Sequence, residues 1–458
     1  MVGRTTELSA LKSAWVATQG GTSQLVVLWG RRRVGKTFLL LEFSRELPCV
    51  YFTATRNDAE SAQLQRLHEA AQRALGDRIH LAGGSFASIE SALRFFQELS
   101  VASPLVVVLD EAPRLANARL DLGDVISAVL ESPPSGAQLL LIICGSAVAS
   151  MRRLIGPDGG LYRRANSELR LDPLDPWESA ELLGPSISGE DTVFAYAACG
   201  GYPLHLAAWD GAQTPTENLA LLAGAPAGLL VRDAVDIMFE DLDARSGYER
   251  VLSAMARGPV RRSKIAGRAQ QRIEYTLGHL QRSGYVIAER PIGAPLSADS
   301  LYRLADTYLR FWFSVLRDDA ELIDGGQGQA VLRRVQPRWC AHVEAVWEDI
   351  ARAHAIRLVS HGELPDLIVG RWWRDEEVEI DVLGLDHAGS AVLVGEAKWQ
   401  DRPFDLGQLN TLRRKSLVPL PASDTPILAI WSRNDVASEI EAIADVRTFT
   451  PQNVFART

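Results

Sequence analysis

The segment that most restricts what this chain can fold into is residues 30–37, GRRRVGKT. It fits the pattern GxxxxGK[ST] and lies between the apolar run LVVLW and the helix-like run FLLLEFSREL. A strand, a glycine-containing loop and a helix in this order form a phosphate-binding loop, in which backbone N–H groups and a helix N-terminus face an anion. The sequence therefore predicts an α/β domain built around this loop.

The residue types in the loop each suit one part of a nucleotide triphosphate. Gly30 and Gly35 permit the tight bend of the backbone. Lys36 is expected to reach the β- and γ-phosphates, and the hydroxyl of Thr37 to bind Mg²⁺. We therefore predict ATP and Mg²⁺ as ligands. Further predicted nucleotide contacts from the loop are Arg31, Arg32, Arg33, Val34 and Phe38.

A second element, PLVVVLDEAPRL, ends an apolar strand with Asp110 and Glu111. A carboxylate at Asp110 can hold the water shell of Mg²⁺, and Glu111 is then placed to polarise the attacking water. Strands that end in acidic loop residues are common without any such role. The combination with the phosphate-binding loop favours the functional interpretation.

Other residues are candidates for the same nucleotide site. Ser146 ends the run LLLIICGSAV and suits a sensor of the γ-phosphate, or is a plain strand-end serine. Arg164 could act as an arginine finger toward a neighbouring subunit, which would require a homo-oligomer, or lie on the surface. Arg4, Gly201 and Pro203 could flank the adenine.

The order of apolar and polar runs predicts four domains. Residues 1–178 alternate strand and helix as a P-loop core, 179–235 form a helical lid, and 236–320 are helical with a short strand pair. Residues 321–458 begin with a glycine-containing stretch typical of a linker, at Gly325, Gly326 and Gly328, and from Arg338 onward read as helix, then strands. The predicted strands of the core are Gln24–Trp29, Cys49–Thr53, Leu105–Asp110 and Gln138–Cys144.

Composition excludes several classes of protein. With 47% hydrophobic and 23% charged residues, the 458-residue chain is expected to be globular rather than disordered or fibrous. Its apolar runs are too short to span a bilayer, and the start MVGRTTEL lacks a secretion signal. The four scattered cysteines suit buried thiols in a reducing cytoplasm, and the eight histidines form no zinc pattern.

The runs GRRRVGKT, LDEAPRL, CGSAV, LYRRA and GGYPLHL together resemble the archaeal-type ATPases of the STAND/AAA+ group. In that family a G-x-P turn of the lid touches the nucleotide, which the resemblance implies for Gly201 and Pro203. The resemblance also implies the finger role for Arg164, although the family usually has Gly-Arg where this chain has Arg163-Arg164.

The middle of the chain is basic. Val251–Arg310 contains ten Lys/Arg against four Asp/Glu, although the whole chain has a net charge of −9. Its helix, turn, helix and strand pattern resembles a winged helix, which suggests contact with DNA. A solvated helix surface, or a winged helix that packs on the ATPase, is the alternative. Candidate DNA contacts are Ser263, Lys264, Arg268, Gln270, Gln271, Arg272 and Arg282.

The last region carries a second set of charged residues. EEVEIDVLGLD and SAVLVGEAKW read as two strands of a hairpin, which would bring Asp381 near Glu396 and Lys398. Two carboxylates can bind Mg²⁺ and orient water for attack on a phosphodiester. Lys398 could stabilise developing charge or assist deprotonation of the water. The alternative is two exposed strands with charged outer faces.

This D…ExK pattern resembles the PD-(D/E)xK restriction-endonuclease-like fold. In fused members a preceding helix contributes a glutamate, which the resemblance assigns to Glu348 in WEDIARAHA. A helical glutamine of related branches corresponds to Gln408. The expected function is thus a DNA-associated ATPase coupled to a metal-dependent nuclease-like module. The alternative is a nucleotide-switched regulator that binds DNA or protein without cutting.

Overall fold

The computed structural model describes residues 2–56, 58–82, 84–116, 121–241, 246–374, 378–418 and 422–456. They form two compact units, Met1–Pro173 with Asp236–Asp243, and Leu174–Val235 with Ala244–Thr458. The first unit overlaps the predicted core as far as Pro173 and also includes Asp236–Asp243 of the predicted domain 236–320. The predicted lid, the rest of 236–320 and the C-terminal region lie in the second unit. The four-domain division itself stays a prediction.

The first unit is an α/β domain. Its elements in chain order are α1 Thr5–Gln19, β1 Gln24–Trp29, α2 Lys36–Ser44, β2 Cys49–Thr53, α3 Glu60–Leu75, α4 Ile89–Ala102, β3 Leu105–Asp110, α5 Leu122–Glu131, β4 Leu139–Gly145, α6 Val148–Ile155 and β5 Ser167–Arg170. The strands form one parallel sheet in the order β2-β3-β4-β1-β5. Strands β3 and β4 are buried along their whole length, as expected for strands covered by helices on both faces.

The four predicted strands of the core are present, the fourth displaced by one residue. The sequence did not predict β5, because its residues SELR alternate between half-buried and exposed and lack the apolar run used to find the others. Strand β5 pairs with β1 at the edge of the sheet. The predicted α/β class with a parallel sheet is therefore confirmed.

The second unit begins with helices and ends with a mixed sheet. Its helices before the first strand are α7 Pro176–Leu183, α8 Gly189–Cys199, α9 Pro203–Ala207, α10 Pro215–Leu222, the first half of α11 Leu229–Asp241, and α12 Ser246–Ala254. The residues of α11 from Asp236 onward belong to the first unit. A three-stranded antiparallel sheet in the order β6-β8-β7 follows, with two helices and a short buried helix; these elements are β6 Val260–Arg261, α13 Arg262–Ala269, α14 Glu274–Arg282, β7 Val286–Glu289, β8 Leu301–Leu304 and α15 Thr307–Phe311.

The C-terminal sheet has five strands in the order β13-β12-β11-β10-β9, antiparallel from β9 to β11 and parallel from β11 to β13. The long helix α17 packs against β9, β10 and β11. The elements are α16 Ala320–Leu322, α17 Gly328–Ser360, β9 Ile368–Arg374, β10 Val378–Leu385, β11 Ala391–Lys398, α18 Leu406–Ser416, β12 Ala422–Ser432, α19 Ser438–Glu441, β13 Val446–Phe449 and α20 Pro451–Val454.

The predicted linker at Gly325, Gly326 and Gly328 is wrong. The stretch is a helical turn, kinked at Gly326 with φ of +82°, that leads directly into α17. A Cβ atom at Gly328 would lie 1.8 Å from the carbonyl oxygen of Gly224. Gly328 therefore permits two backbone segments to approach closely. The glycine that suggested a flexible linker is instead required for packing.

Candidate nucleotide site and candidate metal centre

The phosphate-binding loop follows β1 and ends at α2. Gly35 precedes α2 with φ of +97°, a left-handed conformation that favours glycine. A Cβ atom at Gly30 would lie 2.1 Å from the carbonyl oxygen of Leu171, so the loop passes too close to that backbone for any side chain. Both glycines of the motif are thus required by the geometry of the bend.

The lysine of the loop lies inside its curve. Nζ of Lys36 donates hydrogen bonds to the carbonyl oxygens of Gly30 and Arg31, both at 2.8 Å. The side chain is buried, so the ammonium group is held where the loop N–H groups converge. Within the predicted contact set, Val34 and Arg31 are buried, Arg32 and Arg33 are half-buried, and Phe38 is 62% exposed.

Asp110 lies beside the loop although 73 residues separate it from Thr37 in the chain. The hydroxyl of Thr37 donates to Oδ2 of Asp110 at 3.2 Å, and the phenol of Tyr51 donates to the same oxygen at 2.9 Å. Burial and the Asp110 charge raise the pKa of Tyr51, so the phenol remains a donor. Tyr51 was not predicted; it ends neither a motif nor an apolar run and joins the site because β2 pairs with β3.

Glu111 and Ser146 form a pair at the ends of adjacent strands. The hydroxyl of Ser146 donates to Oε2 of Glu111 at 2.8 Å, and its backbone N–H donates to the same oxygen at 3.3 Å. Glu111 has a φ of +53°, which is uncommon outside glycine and often found at functional sites. Arg114 lies 3.7 Å from the same carboxylate.

Arg4 binds the backbone of the phosphate-binding loop. Its guanidinium donates to the carbonyl oxygens of Val34 at 2.9 Å and Asp172 at 2.7 Å. The side chain is buried, so these bonds fix the turn of the loop. A contact of Arg4 with adenine remains a prediction.

Arg164 and the phosphate-binding loop lie at opposite ends of two adjacent parallel strands. It precedes β5, which runs parallel to β1, whereas the loop follows β1. Its guanidinium pairs with Glu131 at 2.5 Å. Arg164 therefore lies far from the nucleotide site of its own chain, and the finger role stays a prediction that needs a second subunit.

Gly201 and Pro203 belong to the second unit. Gly201 has a φ of +77°, and a Cβ atom there would lie 2.1 Å from the carbonyl oxygen of Leu174. Pro203 is the first residue of α9, where its fixed φ suits a helix start. Their predicted contact with adenine remains a prediction.

In the C-terminal region, three carboxylates converge. Glu348 on α17 and Glu379 and Asp381 on β10 each offer an oxygen, and these oxygens lie within 4.8 Å of one another. We call these residues the carboxylate triad. The sequence predicted Glu348 and Asp381 but assigned no role to Glu379, although the two-residue period of the strand puts it on the same face as Asp381.

Full ionisation of the carboxylate triad is unfavourable unless a cation is bound. Burial and the nearby Asp381 raise the pKa of Glu348 to about 8. Burial and the nearby Glu396 raise the pKa of Asp381 to about 6. Three carboxylate ligands of this kind fit a hard divalent cation such as Mg²⁺, which would offset their repulsion.

Glu396 does not join the triad. Position 396 lies next to the Val382–Gly395 pair of β10 and β11, as the hairpin predicted. Its two oxygens, however, pair with lysines: Lys398 at 2.9 Å and Lys415 of α18 at 2.5 Å. The two lysines thus balance the charge of Glu396, and the metal pair of Asp381 and Glu396 stays a prediction beside the triad.

The environment of Lys398 favours one of its two predicted roles. Burial lowers the pKa of Lys398, but the charges of Glu396 and Asp381 raise it by more than burial lowers it. The pKa of Lys398 is therefore above its ordinary value. A lysine that stays protonated stabilises negative charge and cannot accept a proton. The alternative of exposed charged strands is wrong, since Asp381 and Glu396 are 5% and 8% exposed.

Gln408 is used elsewhere. Its side-chain oxygen accepts from the backbone N–H of Asp405 at 3.1 Å, which closes a capping box at the start of α18, and its amide bonds Gln400. The polar side chain that α18 directs to Glu396 is Lys415 instead. Sequence reasoning missed Lys415 because it lies 19 residues from its partner.

In the basic middle, two predicted DNA contacts are tied to the protein itself. Arg268 donates to the carbonyl oxygen of Ala254 at 2.9 Å, and Gln271 donates to that of Gly247 at 2.8 Å. Both bonds fix α13 and the following turn to α12. The remaining predicted cations Lys264, Arg272 and Arg282 are exposed, and Tyr275 between them is 69% exposed.

Two family models match separate parts of the chain. Residues 1–208 match an ATPase domain predominantly from Archaea. Residues 312–413 match a family of archaeal and bacterial proteins of unknown function. In the part of the chain that the structure describes, the helices are all too short or too polar to cross a membrane.

Similar proteins are distant in sequence. An uncharacterised protein of Methanocaldococcus jannaschii is 22% identical over 418 residues, which cover 87% of this chain and 88% of that one. A Walker-type ATPase of Pyrococcus abyssi has a TM-score of 0.52 and 21% identity, over 68% of this chain and 96% of its own. The ORC2 protein of Aeropyrum pernix has a TM-score of 0.45 and 16% identity, over 73% of this chain and 95% of its own.

The Pyrococcus likeness is one of fold, and the family match covers the phosphate-binding loop, Asp110, Glu111 and Ser146. The first part of this chain is therefore an α/β domain with a phosphate-binding loop, and it is similar to ATPase domains that occur predominantly in Archaea.

Proposed function

We propose that this protein hydrolyses ATP in its first unit and that its second unit carries a Mg²⁺-dependent nuclease-like site that acts on DNA. The observation that carries the ATPase proposal is the convergence of Thr37 and Asp110 beside the phosphate-binding loop, with Glu111 bonded to Ser146. These side chains come from the ends of three neighbouring strands, where ligands of open α/β sheets bind.

Each residue would have one role in hydrolysis. The loop N–H groups and Lys36 would bind the phosphates, and Thr37 and Asp110 would hold Mg²⁺. Glu111 accepts the proton of the attacking water. Ser146 exchanges its bond to Glu111 for one to the γ-phosphate, which would release Glu111 when a triphosphate is bound.

Replacing the loop lysine tests the ATPase proposal. Lys36→Ala should abolish ATP hydrolysis, because the phosphates lose their main cation, while the exposed Lys12→Ala in α1 should leave it unchanged. Glu111→Gln should retain ATP binding and lose turnover, as measured by phosphate release and by a binding titration. Unchanged turnover in Lys36→Ala would refute the assignment.

The nuclease proposal rests on the carboxylate triad and Lys398. A bound Mg²⁺ would supply a water with a lowered pKa and a Lewis acid for the phosphate. Glu348, Glu379 and Asp381 would hold the cation and orient that water. Protonated Lys398 would stabilise the charge that develops on the phosphate oxygens.

Two substitutions separate the proposed activities. Asp381→Asn and Lys398→Ala should remove Mg²⁺-dependent cleavage of DNA and leave ATP hydrolysis intact. Asp366→Asn, at an exposed carboxylate, serves as the matched control. Cleavage that persists in both variants would contradict the nuclease assignment.

We infer that α13 and α14 bring DNA to the protein, as in a winged helix. Support comes from the exposed cations Lys264, Arg272 and Arg282 beside the three-stranded sheet. ATP would act by biasing a hinge, so that nucleotide state alters how this module engages DNA. The finger role of Arg164 would make the active form a homo-oligomer.

One observation favours the competing function, a nucleotide-switched regulator that binds without cutting. Arg371 pairs with Glu379, and two lysines pair with Glu396, so protein cations already meet part of the carboxylate charge. Incubating the protein with linear, circular and branched DNA, with and without ATP and Mg²⁺, distinguishes the two. DNA-stimulated hydrolysis with strand breaks supports the first function; tight nucleotide binding with intact DNA supports the second.

A further inference from the structure

The second unit contains a cavity of about 390 Å³ whose lining combines apolar residues with six arginines. Such a volume is typical of sites for small molecules. The cationic side chains of its lining are Arg257, Arg303, Arg310, Arg338, Arg352 and Arg371. Its acidic lining residues are Glu348 and Asp349. We call it the arginine cavity.

Asp349 is the common partner of three of these arginines. Its carboxylate lies 2.8 Å from Arg310 and 3.6 Å from Arg303, and it also bonds Arg352. Burial raises the pKa of Asp349, but the three guanidinium groups lower it far more. One carboxylate is thus shared among three cations. Other carboxylates pair with arginines of the lining: Glu289 with Arg303, Glu379 with Arg371 and Asp319 with Arg338.

Two arginines of the cavity have unused donors. The side chain of Arg310 is 8% exposed, and its Nε is buried without a hydrogen-bond partner. Arg257 is exposed at the cavity and makes no ion pair or hydrogen bond with the residues that the structure describes. Buried guanidinium donors are normally satisfied, so an unsatisfied one in a cavity wall indicates a missing acceptor.

The arginine cavity adjoins the carboxylate triad through shared side chains. Glu348 belongs to the triad and also lines the cavity. Arg371 lines the cavity and pairs with Glu379, and Arg352 lines it and donates to the carbonyl oxygen of Asp381 at 3.0 Å. A ligand in the cavity would therefore lie beside the proposed cation.

We propose that the arginine cavity binds a phosphate monoester, the 5′-terminal phosphate of a DNA strand whose neighbouring linkage reaches the triad. Guanidinium groups match phosphate oxygens with two parallel hydrogen bonds, and a monoester carries more charge than the linkages within a strand. A cavity of this size admits a terminal nucleotide and excludes a duplex. The inference rests on the proposed nuclease function and deepens it to recognition of strand ends.

Binding measured without catalysis tests this proposal. The full-length protein is titrated, in EDTA, against a 3′-labelled single-stranded oligonucleotide that carries either a 5′-phosphate or a 5′-hydroxyl. EDTA prevents cleavage, and Lys36→Ala, titrated in parallel, shows whether the site of the first unit contributes to the preference. We expect the 5′-phosphate form to bind about tenfold more tightly, the gain of one charge-assisted set of bonds.

Variants assign the preference to the cavity. Arg257→Ala should reduce the ratio of the two affinities several-fold and should fold normally, because Arg257 is exposed. Arg310→Lys, which keeps the charge and removes Nε, should also reduce it, with a melting curve to check folding. Arg402→Ala, at an arginine that is 70% exposed and outside the cavity, should keep the full ratio.

Equal affinity for the two oligonucleotides, or a ratio unchanged in both cavity variants, would overturn the proposal and leave the arginines as a structural network around Asp349. Inorganic phosphate and dAMP serve as competitors. If dAMP alone binds as tightly as the phosphorylated strand, the occupant is a free nucleotide and the strand-end proposal is wrong. A preserved 5′-phosphate preference with no cleavage in Mg²⁺ would refute the nuclease activity and retain the cavity.

Discussion

At the residue scale, the two candidate sites treat their carboxylates differently. Asp110 accepts hydrogen bonds from Thr37 and Tyr51, so neutral donors balance its charge. Glu348 and Asp381 are instead buried beside other carboxylates. Burial raises the pKa of both groups, and a nearby charge raises it further, that of Asp381 for Glu348 and that of Glu396 for Asp381. The ionisation of these two carboxylates therefore depends on a cation.

This difference predicts a pH dependence of stability. The pKa of Glu348 is about 8 against an ordinary value of 4.5, so the folded state binds the proton more tightly than the unfolded state. In a chelator, the stability contributed by this group should therefore fall as pH rises from about 5 to about 8. Glu348→Gln should flatten that decline in thermal melting curves, whereas Glu441→Gln, at an exposed site, should not.

Mg²⁺ must displace those protons, so its binding should strengthen over the same pH range. The Mg²⁺-induced rise in melting temperature should be larger at pH 9 than at pH 6. If the Mg²⁺-induced rise in melting temperature changes with pH in Glu348→Gln as it does in the parent protein, this account is contradicted.

At the element scale, the apolar strands could be predicted and the contacts between distant elements could not. Strands β1 to β4 are apolar because helices cover both faces, and the loop after β1 has its own sequence signature. Strand β5, with residues SELR, has neither signal. Tyr51, Glu379 and Lys415 were missed because strand pairing and helix packing, which bring them to the sites, leave no local pattern in sequence.

The bend of the phosphate-binding loop predicts the effect of a single methyl group. In Gly30→Ala the new Cβ would lie 2.1 Å from the carbonyl oxygen of Leu171, so the loop must move away. A displacement near 1 Å in a binding loop can cost about a hundredfold in activity, and we expect a loss of this order in ATP turnover.

The control for this change is Gly20→Ala, where φ is −74° and the nearest atom to the added Cβ lies at 3.2 Å. That variant should retain both nucleotide affinity and turnover. Equal loss in the two variants would indicate general destabilisation of the first unit.

At the scale of the whole molecule, the second unit joins regions that the sequence suggested were separate domains. Trp177 of α7 donates to the carbonyl oxygen of Val454 at 2.8 Å, and Arg433 pairs with Glu190 of α8 at 2.7 Å. His342 of α17 contacts the carbonyl oxygen of Ala197 at 2.9 Å. The predicted lid and the predicted C-terminal domain thus pack on each other within one unit.

This packing predicts that removing α20 will destabilise α7 and α8. A chain that ends at residue 449 would lose α20, with buried Pro451 and Val454, and expose the apolar surface beneath it, at a cost of about 1.5–3 kcal/mol for the valine alone. Hydrogen exchange should rise in α7 and α8. A chain that ends at residue 456 is the control, and unchanged protection in the shorter chain would contradict the prediction.

The same contact sets an order for synthesis. Gly189 packs against the backbone of Pro451. The indole of Trp177 donates to the carbonyl oxygen of Val454, which is synthesised 277 residues later. Since a chain folds as it leaves the ribosome, the ATPase domain can form early, whereas the helices that follow it stay incompletely anchored until translation is nearly finished. A ribosome that stalls late would therefore leave α7 and α8 without the C-terminal backbone that they contact.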